Sequence, residues 1–341
     1  MTINHLQLVI PELLAQLRQS PDGDAKHDAL PALRQCLQQG ERSRLWQSDD
    51  ISHAHLESWQ QSLLAALPSE LRVHALPSAA LTWRGEGGAQ RKGSCLLAEP
   101  VHLQAGMDDL RYLQSPPLTD EEATQLLHSL QPLLSLAGFE LALTADQANG
   151  TWYLWCDRDL QLTTFSLRSQ CAARIYDLMP QGADSAGLRR LMTEIQMLLH
   201  DHPVNKHRER RSQLTVNALW FAGAGDLTLV SQPLPQRVMS DAVYMRGLCE
   251  HLHTDCWPMP SDVPSLLSVD TLQVLMVLPA MSLAAVESAW LQPLLAALQD
   301  GEIKQLDLYL DQWCIRMRGG RWQQLRRRFT GDRHDIAELL I

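Results

Sequence analysis

The sequence predicts an α/β protein: a mostly parallel sheet with helices on both faces, plus an inserted α+β domain. Three observations predict it. After Leu214, apolar runs at 216–222, 227–230, 272–278 and 306–310 alternate with helical stretches at 240–251 and 283–299, the rhythm of parallel strands joined by crossover helices. Near the start, His5 to Ile10 is an apolar run closed by Pro11, a further buried strand. Between these, the texture changes from Val101 to Gln213, where a strand pair and longer amphipathic helices stand together. The expected partition is a core from 1–98 and 214–341 with a domain inserted at 99–213.

Taken in order, Ser20-Pro21-Asp22-Gly23-Asp24 is turn chemistry. Residues 30–39 form a helix with Leu30, Leu33 and Leu37 on one face and Gly40 as the expected left-handed terminator. A second helix covers 53–67 and ends at Pro68. Leu81-Thr82-Trp83 reads as a strand, 85–93 as a Gly-rich loop, and 94–98 as a strand stopped by Glu99-Pro100. Thr119 and Glu122 form a capping box that opens a helix reaching Leu136. Residues 139–143 and 151–156 read as paired strands joined by a turn around Asn149-Gly150. The helix from Ser185 to His200 carries Leu191, Ile195, Leu198 and Leu199 on one face, and Pro203 is expected to end it. A polar, basic segment follows, then the strand at 216–222 and a turn at Gly223-Ala224-Gly225. Ile315 and Met317 alternate with Arg316 and Arg318 as in an edge strand, and 321–328 reads as a short basic helix.

Composition narrows the function. The net charge is −10 and the mean hydropathy −0.18, which argues against general binding to nucleic acid or anionic membranes. No run of 18 apolar residues exists to span a bilayer. The N-terminal stretch has no basic region and is broken by Pro11 and Glu12, so it does not read as a signal peptide. Seven cysteines without a framework of spacings read as reduced thiols in a cytosol.

Several constellations could carry chemistry. His202, Asn205, Lys206, Arg208, Arg210 and Arg211 form a basic segment, and a guanidinium cluster of this kind can grip phosphate or carboxylate bidentately. The same residues also suit a hydrogen-bonded turn followed by a solvated face. His202, Asn205, Arg208, Arg211 and Asn217 are the candidate ligand-binding set. Asp22, Asp24, His27 and Asp28 are dense enough in carboxylates to be weak metal candidates, and they also make a good turn. Glu99, His102, Asp108 and Asp109 suit acid–base work or helix capping. Cys249, His251, His253 and Cys256 are zinc-ligand types without a recurrent zinc spacing, and read as a polar helix end. The arginines from Arg316 to Arg328 form the other positive patch.

His202-Pro203-Val204-Asn205, the basic segment, Val216-Asn217, the apolar strand and the G-x-G together resemble the archaeal-type cofactor-independent phosphoglycerate mutases of the alkaline phosphatase superfamily. The stretches EPVHLQAGMDDL at 99–110, LTDEEA at 118–123 and ALPALRQCLQQG at 29–40 bring the chain closer to a bacterial offshoot, the RpfE-type regulatory proteins. The resemblance implies an alkaline-phosphatase-like core. In the mutases it implies two divalent ions held by Asp and His, and a Ser or Thr nucleophile at a helix start. Here the Asp-Gly after the first strand becomes Pro11-Glu12. The Thr-Pro-Asn before the next helix becomes Leu30-Pro31-Ala32, and Ala222 stands where an Arg precedes the strand-end Gly. The expectation is therefore a degenerate, non-catalytic regulatory or partner-binding module in a bacterial cytosol, with another protein or an anionic small molecule as partner, no membrane and no cofactor. The alternative is a metal-dependent phosphomutase or phosphatase with rearranged ligands, holding Mn or Zn. A minor alternative is a nucleic-acid accessory role through the Arg-rich tail.

Overall fold

The structure, a computed structural model, describes residues 2–11, 13–18, 30–45, 58–71, 76–106, 110–144, 150–167, 175–227 and 232–319. The chain folds as two compact units, Met1–His74 with Leu229–Ile341, and Ala75–Thr228. The first unit opens with β1 (His5–Ile10), α1 (Leu13–Arg18), α2 (Pro31–Gln39), β2 (Glu41–Arg44) and α3 (Ser58–Ala66). The second contains α4 (Ser78–Gly85), β3 (Ser94–Ala105), β4 (Leu110–Gln114), α5 (Asp120–Leu136), β5 (Glu140–Leu143), β6 (Trp152–Cys156), α6 (Ser185–His200), α7 (Pro203–Arg210) and β7 (Ala218–Gly225). The chain then returns to the first unit with β8 (Arg237–Met239), α8 (Val243–His251), β9 (Cys256–Trp257), α9 (Val263–Leu267), β10 (Gln273–Val277), α10 (Leu283–Ala285), a π-helical turn (Val286–Leu291), α11 (Gln292–Asp300), β11 (Gln305–Leu310) and β12 (Trp313–Arg318).

The first unit is α/β, as the alternating runs require. Its seven-stranded sheet has the order β2-β12-β11-β1-β10-β8-β9. The strands from β11 to β9 are parallel, and β12 and β2 are antiparallel. Period-two alternation sends Leu6, Leu8, Leu306, Leu308, Val274 and Met276 to one face. They pack there with Leu33 and Leu37 of α2, Trp290 of the π turn and Leu294 of α11. His5, Gln7, Asp307 and Tyr309 alternate to the opposite face, where α3 packs against β1 and β11. Gln7 Nε2 donates to Ala66 O of that helix at 3.0 Å. The strand at 313–318 is not the edge that its alternation suggests, because β2 pairs with it over Trp313–Arg44 to Arg316–Glu41. Gly40 takes φ −84° rather than a left-handed value, so the chain runs from α2 directly into β2.

The stretch 283–299, expected as one helix, contains the π turn. Pro293 accounts for it: proline has no N–H for the carbonyl of Ala289 and its ring crowds that carbonyl, so the helix widens by a residue just before it.

The second unit has a five-stranded antiparallel sheet, β4-β3-β6-β5 with β7 also on β3. Trp152 and Leu154 of β6 face a core with Leu126 and Leu130 of α5 and Ile195 and Leu199 of α6. Tyr153 and Trp155 face the other way, against Trp83 of α4, whose ring meets theirs edge-on at 5.2 and 5.7 Å. The unit is wider than the segment 99–213 because β3 runs unbroken through residue 99 and binds both β6 and β7.

Four expectations are corrected here. Leu81-Thr82-Trp83 lies in the helix α4, since packing of Ala79, Ala80 and Trp83 on the sheet outweighs the strand preference of Thr and Trp. Glu99-Pro100 does not stop β3: Pro100 pairs with Leu219 of β7 and sits where the other neighbour changes from β6 to β4. Pro203 does not merely end α6. It is the first residue of α7, a position where its missing N–H costs nothing, and the basic segment is that helix. Gly223 and Gly225 belong to β7 and form no turn. Gly223 has φ 67°, and a Cβ there would fall 2.4 Å from Ser78 Oγ, so the glycine lets β7 approach the start of α4.

Candidate functional site

The sequence-derived binding set divides by what each side chain touches. His202 caps α7: its Nδ1 accepts from Val204 N at 3.2 Å, and its Nε2 lies 2.9 Å from Ser129 Oγ. Burial lowers its pKa. Asn205 donates to Leu199 O and Val216 O, both at 2.7 Å, and accepts from Val216 N at 2.9 Å. Arg208 is 4% exposed. Its Nε and Nη2 clamp the two Glu122 oxygens at 2.8 and 2.9 Å, its Nη1 donates to Leu214 O, and Nη2 also meets Pro117 O. Asn217 exchanges hydrogen bonds with the backbone of Leu103, both at 2.8 Å. These four side chains therefore spend their polar atoms clasping α5, α6, α7, β3 and β7 to one another. Arg211, at the end of α7, is exposed. Nearby, His102 Nδ1 lies 2.8 Å from Thr215 O, and Ser115 Oγ donates to Glu99.

Asp22, Asp24, His27, Asp28, Asp108 and Asp109 lie outside the described residues, as do Glu12 and the arginines beyond Arg318. Among the described residues, no three His, Cys, Asp or Glu side chains converge as a metal-ion site. Cys249 and His251 close α8, whereas Cys256 is on β9, so a single helix does not carry all of them.

In the first unit, a cavity of about 250 Å³ is lined by His5, Gln7, Gln236, Asp307, Tyr309 and Arg316, among others. Asp307 is fully buried. Arg316 Nε and Nη2 reach its two oxygens at 2.8–3.2 Å, and His5 Nε2 lies 3.1 Å from Oδ2. Burial alone would raise this carboxyl, but the bonds from His5 and Arg316 outweigh it and hold the pKa at about 2. Burial pushes the Tyr309 phenol up to about 12. A carboxylate so weakly basic and a phenol so weakly acidic are poorly matched to proton transfer near neutral pH. The cluster works as an ion-pair network.

One arrangement was invisible in the sequence. Glu287, on the π turn and 3% exposed, points its carboxylate at the amino end of α2. Ala32 N donates to Oε1 at 2.5 Å and Leu33 N donates to Oε2 at 3.1 Å. Gln292 Nε2 supports Oε1 from 3.3 Å. The first amides of a helix point outward without intrahelical partners and carry the positive end of its dipole, which makes them a ready anion site. Here an internal carboxylate fills it, and that same charge helps raise the buried Cys36 thiol, after burial itself. Replacing Glu287 with Gln removes the charge and one acceptor. We expect about 1–3 kcal/mol of destabilisation, measured by denaturant unfolding with the slope unchanged.

No protein-family model matches the sequence, and no curated protein sequence matches it. Among solved structures, the chain is similar to the cofactor-independent phosphoglycerate mutase from Thermoplasma acidophilum, at 14% identity and a TM-score of 0.39, covering 94% of this chain and 90% of that one. It is also similar to a protein from Pyrococcus horikoshii, at 11% identity and a TM-score of 0.47, covering 94% of this chain and 88% of that one.

Proposed function

We propose that this chain is a non-catalytic relative of the phosphoglycerate mutases, of the RpfE-like regulatory kind, and that it works by binding another protein. The reading starts from the sequence resemblance, in which Leu30-Pro31-Ala32 stands where the mutases place the hydroxyl nucleophile at a helix start. Glu287 is the observation that carries it. A phosphoryl group in transfer needs free amides, a hydroxyl and metal ions at this place. This chain offers Leu30, Pro31 and Ala32, none of which can ligate a metal through its side chain. Its amides at Ala32 and Leu33 already hold a carboxylate. An incoming phosphate would meet that negative charge instead of a vacant cradle, so we derive no phosphoryl-transfer step.

The test is direct. Purified protein is incubated with Mn²⁺ and 2- or 3-phosphoglycerate, and separately with a chromogenic phosphate ester. We expect no turnover above the protein-free control with either. Metal-dependent turnover that EDTA abolishes would instead establish the rearranged-ligand enzyme. Among the described residues, no helix is long and apolar enough to cross a membrane.

A further inference from the structure

We propose that the cavity on the polar face of the seven-stranded sheet binds a small, neutral molecule rich in hydroxyl groups, of the size of a monosaccharide. The first observation is where the polar residues stand. Strands inside a parallel sheet are covered on both faces and are usually apolar throughout. Here β1 and β11 lie side by side within the sheet. Yet β1 carries His5 and Gln7, and β11 carries Asp307 and Tyr309, all on one face. The register sets Gln7 beside Asp307. Such a break in the pattern marks a place where more than folding has selected the residues.

Long side chains converge over these two strands. Gln236, just before β8, reaches across β10 so that its Nε2 donates to Gln7 Oε1 at 3.4 Å. Gln7 Nε2 in turn donates to Ala66 O at 3.0 Å and to the Tyr309 hydroxyl oxygen at 3.2 Å. From the other side, Arg316 of β12 clamps Asp307. The cavity of about 250 Å³ lies among these groups, just below the range of about 300–1,000 Å³ usual for drug-sized ligands, so its occupant is small. At the end of α3, Ala66, Leu67 and Pro68 give it a wall of carbon, which suits the C–H face of a cyclic polyol.

Charge sets the class of ligand. Apart from His5, the charged side chains on the wall among the described residues are Asp307 and Arg316, and these neutralise each other. An entering anion would meet Asp307 and a cation would meet Arg316, each giving up its water for a site without net charge. What is left to hold a ligand is dipolar. Gln236 Oε1 and Arg316 Nη1 have no hydrogen-bond partner among the described residues. A molecule with several hydroxyls can donate to the first and accept from the second, since each hydroxyl serves in either role. His5, Gln7 and Asp307 stand in the amino-terminal halves of β1 and β11, away from the carboxyl ends where open α/β sheets hold their ligands. The site therefore does not depend on the mutase-like reading.

The test is saturation-transfer NMR on the full chain with glycerol, D-ribose, D-glucose and myo-inositol, each at millimolar concentration. We expect saturation to pass to at least one of them, and neither sodium phosphate nor guanidinium chloride to compete it away at matched ionic strength. Gln236→Leu keeps the side chain's bulk but loses both polar atoms, and should weaken binding roughly fivefold while the chain stays folded by circular dichroism. Arg316→Lys, which keeps the charge but removes Nη1, should act in the same direction. In the wild-type chain, the backbone amide shifts caused by the bound compound should centre on Gln7, Gln236, Asp307 and Tyr309, a readout that needs no variant. Silence from all four compounds would overturn the proposal. So would competition by either ion, shifts confined to other residues, or a folded Gln236→Leu chain that binds as well as the wild type.

Discussion

Arg208→Met should cost about 3–4 kcal/mol of stability, near the usual loss when one partner of a buried ion pair is removed. The guanidinium is almost fully enclosed and holds both Glu122 oxygens, Leu214 O and Pro117 O. Methionine fills part of the volume but leaves these acceptors without their donor. Arg208→Lys should recover only part of the loss, because a single ammonium cannot fork across the carboxylate. Denaturant unfolding of the three proteins gives the comparison. The pair also predicts a pH dependence. The hydrogen bond from Arg208 is the main cause holding Glu122 below its ordinary value. The folded pKa is therefore the lower one. The stabilisation is fully present above the unfolded value of 4.5 and is lost as pH falls through the folded one. In Arg208→Met that acid-side slope should flatten.

Asp307→Ala should cost about 2–3 kcal/mol, somewhat less than a fully enclosed pair, because Arg316 keeps 43% of its side chain exposed and can turn to water. His5 loses the same acceptor. The wild-type contribution is complete above 3.8 and disappears as pH falls through about 2. Unfolding midpoints measured at neutral pH and near pH 2 should therefore differ between the two proteins at the former and converge at the latter.

How much of this was readable in the chain depends on how local the cause is. The capping box announced α5 because both of its bonds, Glu122 N to Thr119 Oγ1 and Thr119 N to Glu122 Oε2, lie within four consecutive residues. The parallel strands β10 and β11 were visible as short runs rich in Leu, Val and Met, interrupted in β11 only by Asp307. The helix α4 was hidden because its reason is Trp83 packing on Tyr153 and Trp155, far away in sequence. Pro203 and Pro100 were taken as stops because a proline forbids less than its reputation: one opens a helix, the other sits where a strand changes partner. The polar residues from His202 to Asn217 stand out in the sequence, yet the partners of His202, Asn205, Arg208 and Asn217 are backbone groups, a serine and a glutamate that only the fold assembles. Glu287 could not be found at all, since the amide it accepts from is 255 residues away.

The two ends of the seven-stranded sheet carry one more consequence. The strands between them are apolar enough to recruit further chains if a bare margin were offered. Among the described residues, one margin is β2, four residues of sequence Glu41-Arg42-Ser43-Arg44, whose charges repel an incoming strand. The other is β9, two residues long and followed at once by Pro258 and Pro260, which have no N–H to give a neighbour. Stripping those guards, for instance by turning the two arginines of β2 into valines, would convert the sheet into a template for fibrous growth.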